Sequence, residues 1–133
     1  MVVDSSALLA ILFGESDREV FAMALQKAGP KFMAAANALE AAIVVEARKG
    51  AAGGRELDVL LHLAQIEVLP MDTGQVQEAR RIWREFGKGN HRAALNFCDC
   101  CALALSRISG NPLLYKGEDF RLAGIGGAAD VRH

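Results

Sequence analysis

Apolar residues along the chain fall into short unbroken runs, separated by longer stretches in which they recur every three or four positions. The short runs read as strands: "MVVD" at 1–4, "KFMAA" at 31–35, "IEVLP" at 66–70 and "PLLYK" at 112–116. The longer stretches predict helices. "SSALLAILFG" follows the first strand, and "SDREVFAMALQKAG" makes a second helix, with Ser16 and Glu19 spaced as a capping box and Gly29 as its stop. "NALEAAIVVEARKG" is expected to end at Gly50, with a separate helix in "GRELDVLLHLAQ" that places Leu57, Leu60, Leu61 and Ala64 on one face. "DTGQVQEARRIWREFG" carries Val76, Ala79, Ile82, Trp83 and Phe86 at amphipathic spacing. A polar loop, "KGNHRAAL", leads into the helix "NFCDCCALALSRISG", stopped by Gly110. "GEDFRLAG" follows the "PLLYK" strand, and a last short strand is expected near "ADVR".

Strands separated by helices imply right-handed crossovers and a mostly parallel sheet between helices, an α/β fold. The strands are almost continuously apolar, as expected where both faces of a sheet are covered. At 133 residues the chain is expected to be one domain, 1–133. With 52% hydrophobic and 23% charged residues it has the composition of a packed protein and not of a disordered one. The net charge of -1 leaves nucleic-acid binding to a local basic patch. Charges interrupt every apolar stretch well short of the roughly 20 residues of a membrane span, and the start lacks the basic region of a signal peptide. Three cysteines, odd in number and crowded together at 98, 100 and 101, argue against a disulfide framework and for a reducing cytoplasm. Buried small apolar packing is their expected role.

Four carboxylates change the picture. In open α/β sheets the functional crevice lies beyond the carboxyl ends of the strands. Asp4 ends the first strand, Glu40 follows the second within a helical turn, Asp99 lies in the first turn of the helix before "PLLYK", and Asp119 follows that strand. They share one rim if their strands are neighbours. Each also has a plain local reading: Asp4 and Asp119 as helix caps, Asn37–Glu40 and Asn96–Asp99 as cap and third-residue pairs. Asp72 follows a strand as well, and position alone does not separate it from the others. Ionised acids brought together repel, and a divalent cation relieves the repulsion. Oxygen ligands without clustered histidines favour Mg²⁺ or Mn²⁺ over zinc.

The segments "MVVDSSALLAIL", "NALEAAIVVEAR", "GKGNHRAALNFCDCCALAL" and "PLLYKGEDF" together resemble a PIN-domain ribonuclease of the VapC toxin type, over nearly the whole chain. The resemblance implies a three-layer α/β/α sandwich and RNA cleavage with a Mg²⁺ or Mn²⁺ ion held by acids at Asp4, Glu40, Asp99 and Asp119. It sets Asp72 aside on an edge strand. Asp4 and Asp99 are then the expected direct metal ligands, with Glu40 and Asp119 orienting metal-bound water or a second ion and Glu118 a substitute ligand. Ser6 and Asn96 are candidates for holding the ligand carboxylates from behind, or for ordinary first-turn positions. Lys88, His91 and Arg92 in the loop, and Lys116 before Asp119, are candidates to meet RNA phosphates; Arg80, Arg81 and Arg84 are weaker ones. No basic stretch interleaved with aromatics is visible. The implied partners are RNA, a VapB-type antitoxin and a second copy in a homodimer, with no membrane. Surplus apolar residues of the first helix (Leu8, Leu9, Ile11, Leu12, Phe13), with the second helix, are expected to make dimer or antitoxin contacts. Cys98 stands where such proteins often carry Gly, and Cys101 where an aromatic or other bulky residue is common. That departure keeps open a PIN-like protein that binds without cutting. A receiver-like Mg²⁺ module is a further alternative, although it wants paired acids after the first strand, where this chain has one acid followed by Ser5 and Ser6.

Overall fold

A computed structural model describes residues 1–129. In chain order the elements are β1 (Val2–Val3), α1 (Ser5–Leu12), α2 (Arg18–Leu25), β2 (Lys31–Ala34), α3 (Ala35–Leu63), β3 (Ile66–Leu69), α4 (Thr73–Phe86), α5 (Phe97–Ser109), β4 (Leu113–Leu114) and α6 (Asp119–Leu122). The four strands form a parallel sheet in the order β3-β2-β1-β4. Val2 pairs with Phe32 on one side and Leu113 on the other, which puts the first strand in the middle.

Neighbouring strand residues point to opposite faces, and each face has its own core. Val2, Ala34 and Leu113 pack with Ile82 of α4 and with Leu103 and Leu105 of α5. Val3, Met33 and Leu114 pack on the other side with Leu8 of α1, Phe21 of α2, and Val45 and Leu57 of α3. Helices therefore cover both faces, as the expected α/β/α sandwich requires.

One local expectation holds and two change. Gly50 ends the first helical segment as expected: it takes φ 68, ψ -163, and α3 is two helices that meet there, the second running to Leu63. Positive φ costs glycine little, so the chain changes direction without a loop. Ser16 and Glu19 form no capping box: α2 starts after Asp17, with no side-chain cap. The Asp17 carboxylate is instead engaged by Lys116 at 3.0 Å. And α3 starts at Ala35, not after Asn37, which puts Asn37 inside the helix and fully buried. By contrast, the Asn96–Asp99 capping box forms, and Gly110 closes α5 at φ 69. The expected strand at "ADVR" lies almost wholly outside the described residues; just before it, Gly127 bridges Leu113 in parallel. Of the apolar residues of α1, Leu8 is buried, and Leu9, Ile11, Leu12 and Phe13 are partly buried against the same core. The large exposed apolar side chains lie elsewhere, among them Leu39 and Ile43 on α3, Trp83 on α4 and Phe97 on α5.

Candidate active site

Because β1 lies between β2 and β4, the carboxyl ends of three adjacent strands open on one place. Asp4 leaves β1 and caps α1, and its backbone N–H donates to the Leu114 carbonyl of β4 at 2.9 Å. The Asp4 carboxylate is buried and held from two sides. Oδ2 accepts from the Ser6 backbone N–H at 3.1 Å and from the Ser6 hydroxyl at 2.5 Å. Oδ1 accepts from Asn37 Nδ2 at 3.2 Å. The same amide nitrogen donates to the Cys98 carbonyl at 3.0 Å, tying α3 to the start of α5. Glu40, one turn further along α3, accepts a short hydrogen bond from the Ser5 hydroxyl. Asp99 accepts from the Asn96 backbone N–H at 3.0 Å while Asn96 Oδ1 takes the Asp99 N–H at 2.9 Å. Asp119 starts α6.

Asp4, Glu40, Asp99 and Asp119 line one cavity of about 360 Å³, with Glu118 also in its wall and Leu9, Val44 and Phe120 as apolar lining. The local cap readings of Asp4 and Asp99 are correct and do not exclude the shared rim, because each carboxylate is both a cap and a cavity residue. Burial pushes the Asp4 carboxyl up to about 6, against the pull of the Ser6 hydroxyl and N–H, and the Asp99 and Glu40 charges add to the rise. Asp99 also rises to about 6, again mainly by burial, with the charges of Asp119 and Glu40 adding and the Asn96 N–H opposing. The nearest cation is committed elsewhere: Lys116 lines the cavity, but its ammonium is bound by Glu15 and Asp17.

Oxygen donors of this charge fit a hard divalent cation. Among the described residues, no three His, Cys, Asp or Glu side chains converge closely enough to enclose an ion. The carboxylates line the wall and do not meet at a point, so an ion shared among them needs water in part of its shell. The Asn37 Oδ1 atom, buried with no donor, is a further unsatisfied polar group beside Asp4.

Other candidates sort by position. Ser6 sits behind Asp4, and its hydroxyl also accepts from the Lys116 backbone N–H at 2.9 Å, linking the start of α1 to the segment after β4. Asn96 fixes Asp99. Asp72 follows the edge strand β3 and caps α4 through the Gln75 N–H at 2.8 Å, outside the cavity. His91 is occupied locally: Nδ1 accepts the Ala93 N–H at 2.9 Å and its ring meets Phe86 edge-on at 5.2 Å. Lys88 lines a different groove, between α4 and α5, and exposed Arg92 lines neither. Cys100 and Cys101 are buried and free, as expected. Cys98 is different. Its thiol is pushed up to about 12, first by burial and next by its hydrogen bond to Glu40, so it stays protonated and donates. The Cys98 side chain therefore helps to hold Glu40. Sequence reasoning missed Ser5 and Asn37. Asn37 precedes Glu40 by three residues, one helical turn, and that spacing was visible; it pointed to a cap only as long as the helix was taken to begin there.

The PIN domain family profile matches residues 1–125. A ribonuclease VapC of Mycolicibacterium smegmatis is 48% identical over 125 residues, covering 94% of this chain and 97% of that one. Ribonuclease VapC28 of Mycobacterium tuberculosis is 40% identical over 133 residues, covering 99% and 100%. Among solved structures, the Mycobacterium tuberculosis toxin VapC20 superposes with a TM-score of 0.78 at 15% identity, covering 97% of this chain and 98% of that one. A toxin–antitoxin complex from Klebsiella pneumoniae gives 0.70 at 14% identity, covering 98% of each. Sequence and fold agree from end to end, and the chain belongs to the PIN-domain family, among its VapC ribonucleases.

Proposed function

We infer that this protein is a metal-dependent endoribonuclease toxin, a single domain that works in the cytoplasm as a homodimer and is silenced by a VapB-type antitoxin. The carrying observation is the single cavity that Asp4, Glu40, Asp99 and Asp119 line together, beside a lysine whose charge is bound by Glu15 and Asp17. Asp4 and Asp99 would hold Mg²⁺ or Mn²⁺, with Glu40 and Asp119 orienting its water shell. The bound ion supplies a water of lowered pKa and charge stabilisation at the scissile phosphate. The chain's own part is orientation. Ser6 and Asn37 fix both oxygens of Asp4, the Asn96 N–H fixes Asp99, and Ser5 with Cys98 fixes Glu40. An arginine or lysine from the antitoxin suits the same cavity and would compete with the ion. A second copy suits the aliphatic surface of Leu39 and Ile43, which are 62% and 59% exposed.

The test is RNA cleavage by purified protein freed of its partner. Cutting should require Mn²⁺ or Mg²⁺ and vanish in Asp4→Asn and Asp99→Asn proteins that keep their circular dichroism. Cutting that survives both substitutions would refute the assignment. One observation favours a second reading, a PIN protein that binds without cutting: no three ligand groups converge in the cavity. Metal-bound wild type that leaves every tested RNA intact would select it.

A further inference from the structure

The geometry points to a binding groove for single-stranded RNA between α4 and α5, in which Trp83 and Phe97 offer faces to bases and Arg80 and Lys88 meet phosphates. This rests on the ribonuclease reading and adds where the substrate lies. The groove, of about 510 Å³, is separate from the acidic cavity but shares the first turn of α5 with it. Asn96 and Phe97 line the groove, and Asp99 lines the cavity. A helix is only about 10 Å across, so a strand whose phosphate lies at the carboxylates reaches the groove by crossing the helix tip.

Two properties of the groove select the ligand. The first is aromatic exposure. Phe97 is 73% exposed and Trp83 is 50% exposed, over a floor that includes Met71, Val76 and Leu95. The tryptophan is held in place. A Cβ at position 87 would come within 2.4 Å of the indole Cδ1, so Gly87 is what lets the ring lie against the chain. Asn90 Nδ2 also donates to the Trp83 carbonyl at 3.0 Å. A fixed ring with a free face suits stacking. The second property is charge. No carboxylate is among the described residues that line the groove, and neither Arg80 nor Lys88 has an ion-pair partner there. On the same helix Arg81 is paired to Glu78 at 2.8 Å, so pairing was available to its neighbour. Unpaired cations beside exposed aromatic faces are the chemistry of sequence-tolerant single-strand binding. The hollow on the other side of Phe97 has Leu39 and Ile43 but no cation, which suits an apolar protein surface better. The sequence does not show the groove because Phe97 starts the next helix and faces the 80–88 segment only where α4 and α5 pack.

Trp83 is the sole tryptophan, so its fluorescence reports on this groove directly. The experiment titrates Asp4→Asn protein, which should bind without cutting, with a short single-stranded RNA of mixed sequence, reading Trp83 emission and RNA anisotropy together. Emission should be quenched in step with binding, and the same sequence as a duplex should leave it unchanged. Phe97→Ala should weaken binding about 10-fold, the order of one lost base stack. Phe97→Leu keeps an apolar side chain without a ring and serves if the alanine protein does not fold. Arg80→Gln and Lys88→Gln should each lower the slope of log affinity against log salt by roughly 0.7. RNA binding with silent Trp83 emission overturns the groove, as does unchanged affinity in both Phe97 variants. Emission that follows protein concentration instead of RNA also overturns it and assigns the surface to a second copy; absence of RNA binding overturns it as well. Cleavage by wild type, assayed in parallel, separates the two readings. A cutting enzyme with silent Trp83 loses only the groove, whereas quenching without cutting keeps the groove and removes the nuclease.

Discussion

Asp4 and Asp72 are the same device by local criteria. Each follows a parallel strand, and each caps the next helix through its side chain, Asp4 on the Ser6 N–H and Asp72 on the Gln75 N–H. They differ in where the strand sits. β1 is flanked by β2 and β4, so three chain segments deliver acids, amides and hydroxyls around Asp4. β3 is an edge, and Asp72 keeps the role of a cap. Chemistry in this fold is thus set by strand order, which gathers ordinary helix starts at one rim.

The sharpest way to break the comparison is to neutralise each acid in turn. Asp4→Asn and Asp99→Asn should each lower RNA cleavage by about 100-fold or more, while Asp72→Ala should leave it unchanged and cost about 1 kcal/mol of stability in urea melts. If Asp72→Ala silenced the protein as Asp4→Asn does, strand order would not be what matters. Removing the buried amide is next in size. Asn37→Ala leaves Asp4 Oδ1 and the Cys98 carbonyl without their donor and should cost roughly 1–3 kcal/mol, with a fall in Mn²⁺ affinity measurable by calorimetry; Gln75, whose amide donates to Pro70 beside Asp72, should affect stability alone.

A pH series reads the burial of the central acids directly. The carboxyls of Asp4 and Asp99 stand at about 6 in the fold, above their ordinary 3.8. Between these values the folded chain holds protons that the unfolded chain has released. The metal-free protein should therefore gain stability as pH falls through about 6 toward 4 and lose it as pH rises, the reverse of an acid held by a cation. Thermal melts of Asp4→Asn should show a flatter profile; a profile unchanged in Asp4→Asn would remove the proposed origin. The smallest effect is expected at Cys98. Cys98→Gly removes one of two donors to Glu40 and leaves Ser5, so cleavage should change by no more than about tenfold and Cys98→Ser should restore it.

The alternation of apolar runs and amphipathic stretches made the sandwich legible, because strands covered on both faces are apolar throughout while helices bury one residue in every three or four. The acids were legible as residues but not as a set. "NFCDCC" and "SDRE" carry the same cap spacing, yet only Asn96–Asp99 closes, since Asp17 is drawn to Lys116, about a hundred positions away. Asn37 was misplaced for a related reason. The helix begins at the end of β2, in alanines that carry no start signal, so the one polar residue nearby stood in for the boundary. The loop residues His91 and Arg92 lie near Asp99 in sequence, but neither lines the acidic cavity, and the turn at 87–95 packs His91 on Phe86 and Ala93.

Lys116 has an effect beyond latching two loops. Its ammonium is absorbed by Glu15 and Asp17, so the rim beside it keeps its negative field undiluted. On the proposed reading, a phosphate brought to that mouth would meet repulsion that a bound cation relieves. The ion would then help to seat the scissile group as well as to activate water, while a strand lying between α4 and α5 would be held without it.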